Sequence, residues 1–309
     1  MVAALAVTLI LGAAVLAARE PRLTFGVGVL RRDGIIVPFA AFDGRRWVAN
    51  WPPPDVERDV PISLRDLPSK WWGPTKALET WQAWTGQEPR TLRVVQPDWV
   101  NVHCVRQIGL RTDYLAPLAA PPRSVQPYPK DGLVVSPPQP VERIAIVPAE
   151  AEEARLLIPF LQEAFNKAER VAERQYGHPV PRQAREGRAP DIEAIYAYGE
   201  HPRIYYVEAS RPYRRLGQTM QSCEMLGFGT IWLAREGAQV RELDSAADLL
   251  PCNRRGASYM LPFGAMHVEG ALYWLAQFAG FDHERYVVIQ MTAKTVQAVL
   301  SVWGGSCSR

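Results

Sequence analysis

Seven short β-prone runs follow one another at 192–198, 204–209, 230–234, 239–243, 257–261, 271–278 and 286–291. Parallel strands need a crossover of a dozen or more residues, usually a helix. Most of these runs are separated by less than that. Glu236-Gly237 and Gly280-Phe281-Asp282 read as hairpin turns between them. The pattern predicts an antiparallel sheet.

The first hundred residues repeat the theme. Strands are expected at 25–31, 35–41 and 46–50, with Asp33-Gly34 and Asp43-Gly44 as the turns between them. Asp-Gly supplies the positive backbone angles of a tight hairpin. Pro52, Pro53 and Pro54 end this run, since proline donates nothing to a ladder. Further strands are expected at 92–95 and 100–108. Residues 116–140 then hold eight prolines, a density that disfavours helix and sheet. The expected organisation is a Trp-rich β-domain over 19–115, a proline-rich linker over 116–140, and a second domain over 141–309.

The second part carries the one strong helix signal. Leu157, Leu161, Ala164, Ala168 and Val171 recur at three- and four-residue steps. Glu150, Glu152 and Glu153 sit at the positive end of the dipole, behind Pro148. Arg170 and Arg174 occupy the last turn, and Gly177 suits the position just past the end. Pro159 conflicts with this helix, because it removes a donor from its interior. A second, short helix is expected at 295–303, ended by Gly304-Gly305. The predicted fold class is therefore α+β: mainly antiparallel sheet, one long amphipathic helix and a short C-terminal helix.

Residues 1–18 read as an export signal. Val2 to Ala18 carries no charge, and the run of about 17 residues is short for a membrane span. Its small residues place cleavage after Ala17 or Ala18, although no Lys or Arg precedes the apolar run. The mature chain is expected to be secreted or periplasmic, in a bacterial envelope, with no membrane contact after cleavage. Four cysteines at 104, 223, 252 and 307 suit an oxidising compartment, and no CxxC suggests zinc or redox chemistry. The preferred disulfide joins Cys252 to Cys307, pinning the C-terminus; its rival joins Cys307 to Cys104 across the two parts.

Signals for chemistry are sparse. The formal charge is +3, from 35 basic and 32 acidic residues, so nucleic acid is not an expected partner. Gly26-Val27-Gly28 and Gly227-Phe228-Gly229 lack the third glycine of a dinucleotide fingerprint. No phosphate loop, nucleophile elbow or HExxH is present, and no cofactor is expected. Glu208, at the end of an apolar strand beside Arg211, Arg214 and Arg215, is the leading polar candidate for a catalytic acid. A glycosidase would need a second carboxylate near it. His267 and Glu269 stand two apart on a strand and would share one face. Asp282-His283-Glu284 reads as a solvated turn. His103-Cys104 is unsuited to nucleophilic catalysis, since neighbouring strand residues point apart. Trp71 and Trp72 are consecutive, so one of them is expected to be exposed for stacking on a ligand such as a carbohydrate or peptide. Together these point to a binding or structural module of the envelope without catalysis. An extracellular hydrolase using Glu208, acting on carbohydrate, is the alternative.

Overall fold

The computed structural model describes residues 23–49, 79–85, 88–118, 130–178, 180–213, 223 and 225–307. Trp71, Trp72 and the export segment lie outside them.

The chain builds a stack of four layers. The first is a barrel made of β1 (Phe25–Arg31), β2 (Ile35–Phe42), β4 (Thr80–Trp84), β5 (Arg90–Val102), β6 (Val105–Thr112) and β7 (Lys130–Ser136). Pairing runs β1-β7-β4-β5-β6-β2 and closes through β1–β2, with the short β3 (Trp47–Val48) attached to β2. Every pairing is antiparallel. Closure removes the exposed strand edges that invite aggregation. Side chains fill the barrel interior, among them Leu30, Ile36, Trp81, Leu92, Leu110 and Val134. Gly28 leaves room there: a Cβ would stand 3.1 Å from the Ile36 side chain and 2.9 Å from the Val37 carbonyl.

The second layer is a four-stranded meander, β13 (Tyr259–Val268), β14 (Ala271–Ala279), β15 (His283–Met291) and β16 (Val296–Ser306). Side chains on both of its faces are packed. Successive strand residues point to opposite sides, and the sequence uses both. Met266, Leu275, Tyr286 and Val288 pack with Val27, Val29, Val37 and Phe39 of the barrel. Trp274, Ala276, Val287 and Ile289 pack with Ile204, Tyr206 and Trp232 on the other side.

Those last residues belong to the third layer, a five-stranded sheet ordered β12-β11-β10-β9-β8. Its strands are β8 (Ala145–Ile146), β9 (Asp191–Tyr198), β10 (Arg203–Tyr213), β11 (Met225–Glu236) and β12 (Gln239–Leu250). The fourth layer is α1 (Glu152–Tyr176), followed by the single turn of α2 (Arg182–Arg185). Leu157, Leu161, Ala164 and Phe165 of α1 lie on Ile195, Tyr205, Val207, Ile231 and Leu233. Gly227 and Gly229 form the seat: a Cβ at 229 would stand 2.7 Å from the Phe165 ring. The glycine pair thus lets a helix approach a sheet.

The architecture matches the expected antiparallel, one-long-helix class and corrects it in four places. The residues expected to form a C-terminal helix form β16, paired with β15 from Met291↔Val296 to His283↔Ser306. It covers an edge of β15 that would otherwise lie open. The proline-rich stretch is not linker throughout, because Lys130–Ser136 is β7, hydrogen-bonded to β1 and β4. α1 runs unbroken through Pro159, and Val171 is exposed while Phe165 occupies the buried stripe. Gly177 ends the helix at φ 76°, its N–H bonded to the Glu173 carbonyl, as the sequence suggests.

The fourth correction concerns the disulfides. Cys307 pairs with Cys104, Cα atoms 4.7 Å apart, and Cys252 pairs with Cys223, 5.9 Å apart. The preferred Cys252–Cys307 bridge does not form. The end of β16 lies against the β5–β6 turn: Gln107 Nε2 donates to the Gly304 carbonyl at 2.9 Å. A Cβ on Gly305 would sit 2.6 Å from the Val102 carbonyl. This packing delivers Cys307 to Cys104. Two disulfides fit an oxidising compartment. Among the described residues no helix is long and apolar enough to cross a membrane.

Candidate functional site

The sequence candidates disperse when folded. Glu208 lies in β10, 2% exposed, between the two stacked sheets. It accepts the Met260 N–H at 2.5 Å and the Tyr206 hydroxyl at 3.3 Å. Burial pushes its carboxyl up to about 8 from 4.5, against those two hydrogen bonds, with a smaller push from Glu193. The Glu193 carboxylate is itself held by Arg254 Nη1 at 2.6 Å. The carboxyl is closed in and faces neutral donors, the environment of a hydrogen-bonded core group.

His267 and Glu269 do not share a face. β13 ends at Val268, and Glu269 turns the chain at φ 49° with Gly270 at 75°. His267 meets other partners: its Nε2 lies 3.1 Å from the Tyr198 hydroxyl, which donates to Glu142 at 2.8 Å. The imidazole and Glu142 are both more than half exposed. No group of three metal-ligating side chains occurs among the described residues.

His103 and Cys104 are turn residues rather than strand neighbours. They link Val102 to Val105, with His103 at φ 53°. Below them lies a buried network that the sequence hides. Lys130 Nζ donates to both oxygens of Glu284, at 3.0 and 3.2 Å, and both side chains are wholly buried. Tyr286 and Gln277 also donate to Glu284, and His103 Nε2 lies 3.9 Å from it. Burial pulls the Lys130 ammonium below its ordinary range, opposed by Glu284. It does the same to the His103 imidazole. The Asp282-His283-Glu284 turn is thus split: two residues at the surface, the third in the core. The missed signal was the alternation Glu284, Tyr286, Val288, which puts the carboxylate on the barrel side.

A second charged cluster, Glu169 with Arg185, Arg211 and Tyr213, joins α1 to β10 and is also buried. Beside it an open groove of about 250 Å³ on α1 is lined by Pro159, Gln162, Glu163, Asn166 and Arg170. Asn166 and Arg170 are already occupied by Arg211 and Glu186.

A further group of side chains lies on the opposite face of the middle sheet from Glu284. Register places Phe278 beside Arg285 and Arg285 beside Trp303. All three point away from the barrel. The Arg285 guanidinium lies 5.2 Å from the centre of the Phe278 ring. Trp303 is 59% exposed, its ring 6.0 Å from His283 in an edge arrangement. At the β14–β15 turn Phe281 is 69% exposed, with the Arg255 guanidinium 4.9 Å from its ring centre. Gly280 permits this turn: a Cβ there would stand 2.5 Å from the His283 ring. Among the described residues neither Arg255 nor Arg285 has a carboxylate within 4 Å. The row spans two strand spacings, roughly 10 Å. Phe278 is half-buried against Tyr206, while Trp303, Phe281, Arg285 and Arg255 are exposed. The sequence pattern hides this row, because it places Trp303 in a helix, whereas Trp303 lies in β16 opposite Arg285.

No family model, curated protein or solved structure matches the chain.

Proposed function

We propose that this is a secreted or periplasmic binding module of the cell envelope, without catalysis, whose binding face is the row of Phe278, Arg285 and Trp303 with Phe281 and Arg255. One observation carries the reading. The buried carboxylates Glu169, Glu208 and Glu284 are all engaged inside the protein, while this row leaves two aromatic rings and two guanidinium groups open to solvent. Exposed aromatic clusters on a soluble protein mark interaction sites. Tryptophan and arginine are the residues that most often dominate such contacts. The disulfide beside the row holds the end of β16, so the Trp303 ring is presented on a fixed strand.

Co-sedimentation with insoluble envelope polysaccharide tests this. The protein is expected in the pellet, the Trp303→Ala variant in the supernatant, and the polysaccharide chain length unchanged on long incubation. Absence of sedimentation would overturn the binding reading. Chain shortening abolished by Glu208→Gln would instead establish the hydrolase.

A further inference from the structure

Resting on that binding face, we infer that its ligand is a carboxylated saccharide chain. Three features of the row carry this. First, its exposed groups, Arg285, Trp303, Phe281 and Arg255, are spread over two strands and two adjoining loops rather than gathered in a cavity, which suits an extended chain rather than an enclosed small molecule. Second, its apolar elements are planar ring faces, and two of them are more than half exposed. Such faces stack on the apolar faces of other rings. Third, the row carries two guanidinium groups that no carboxylate among the described residues neutralises. Arg255 and Arg285 lie on the Phe281 and Phe278 rings with no carboxylate within 4 Å among the described residues. Each leaves donors of its guanidinium fork open, and that fork matches a carboxylate in a bidentate geometry.

Asp282 is the acidic group at the edge of the row, and its position sharpens the inference. Its Oδ1 lies 2.9 Å from His283 Nδ1. That contact holds its carboxyl below the usual carboxylate range. The aspartate is therefore ionised at neutral pH and repels an anionic ligand from the β14–β15 turn. An acidic ligand predicts opposite effects for neighbouring charges: loss of Arg285 weakens binding and loss of Asp282 strengthens it. A neutral ligand gives no such opposition.

The experiment is calorimetric titration of the disulfide-bonded protein with three probes: polygalacturonate, its fully methyl-esterified form, and poly-glutamate. Polygalacturonate is expected to bind, and the neutral ester to bind at least several-fold more weakly. Arg285→Gln and Arg255→Gln are each expected to lower affinity about two- to fivefold, the worth of one exposed ion pair. Asp282→Asn raises affinity by a similar factor, and added salt weakens binding. Trp303→Ala weakens the polysaccharide most, which separates ring stacking from charge alone. Equal binding of the acid and its ester would overturn the carboxylate assignment while leaving the binding face intact. Poly-glutamate binding as tight, and indifferent to Trp303→Ala, would assign the face to acidic peptide. Failure of all three probes, with Trp303-dependent sedimentation retained, also overturns the ligand class. Failure of both sinks the binding face itself.

Discussion

Glu284 and Arg285 are adjacent on β15 and occupy opposite surroundings. Glu284 faces the barrel, wholly buried, with Lys130, Tyr286 and Gln277 around it. Arg285 faces away, exposed over the Phe278 ring, with no acidic partner among the described residues. The alternation of a strand separates them; the layers decide what each becomes. On the barrel side a charge had to be matched inside the protein, because an unpaired buried ion is prohibitively costly. On the other side Phe278 still packs against Tyr206 of the five-stranded sheet, but Arg285 is exposed and its charge can stay in water. At this end of β15 one side chain is locked in the core and the next stays in water.

Removing the tether that serves both faces is expected to have the largest effect. Cys104–Cys307 closes a separation of 203 residues, and Cys223–Cys252 one of 29. Chain entropy assigns about 5 kcal/mol to the first and about 4 kcal/mol to the second. Denaturant unfolding of Cys104→Ser/Cys307→Ser is therefore expected to show the greater loss. It also loses the end of β16 that presents Trp303, so ligand binding weakens with it. A greater loss from the Cys223–Cys252 pair would contradict this ranking.

Breaking the buried pair comes next. Lys130→Ala leaves Glu284 charged and uncompensated, and about 3–5 kcal/mol of stability should go. The double variant Lys130→Met/Glu284→Leu should recover most of that loss, because well-packed apolar replacements of a buried pair are often neutral. A double variant worse than Lys130→Ala would show that the pair contributes net stability.

Glu208 sharpens the contrast between buried carboxylates. Glu284 has a cation; Glu208 has Tyr206 and a backbone N–H. Its folded value of about 8 lies above the ordinary 4.5. The folded state thus binds one more proton than the unfolded state between those values, and stability falls as pH rises through that window. The slope is about 1.4 kcal/mol per pH unit at its steepest. The difference between wild type and Glu208→Gln isolates it from the buried histidines. Parallel pH profiles for the two proteins would disprove the assignment.

The smallest stability effect belongs to the exposed row. Trp303→Ala is expected to shift stability by about 0.5 kcal/mol or less, as for surface changes away from packed features. A loss of several kcal/mol would mean that the ring is structural.

Much of this division was legible in the residues. The β-runs around Asp33-Gly34 and Asp43-Gly44 are strands, and the 3.6 periodicity of 157–168 is α1. What failed was long-range. Thr295 to Trp303 has no periodicity strong enough to separate strand from helix, and the open edge of β15 decides it. Lys130 meets Glu284 across 154 residues, which no local pattern encodes. The same holds for Cys307, carried to Cys104 by Gly304 and Gly305. Glu208 stood out in sequence as a charge in an apolar strand, and the fold explains it as a hydrogen-bonded core group. The row of Phe278, Arg285 and Trp303 needed β16 in register before it existed at all.

The most direct test is a side-by-side denaturant titration of Glu284→Gln and Arg285→Gln, one residue apart on β15. Glu284→Gln removes the carboxylate that accepts both Lys130 hydrogen bonds in the core and is expected to lose about 3–5 kcal/mol. Arg285→Gln is expected to stay within about 0.5 kcal/mol of wild type. Equal losses from the two would contradict the assignment of one face to stability and the other to binding.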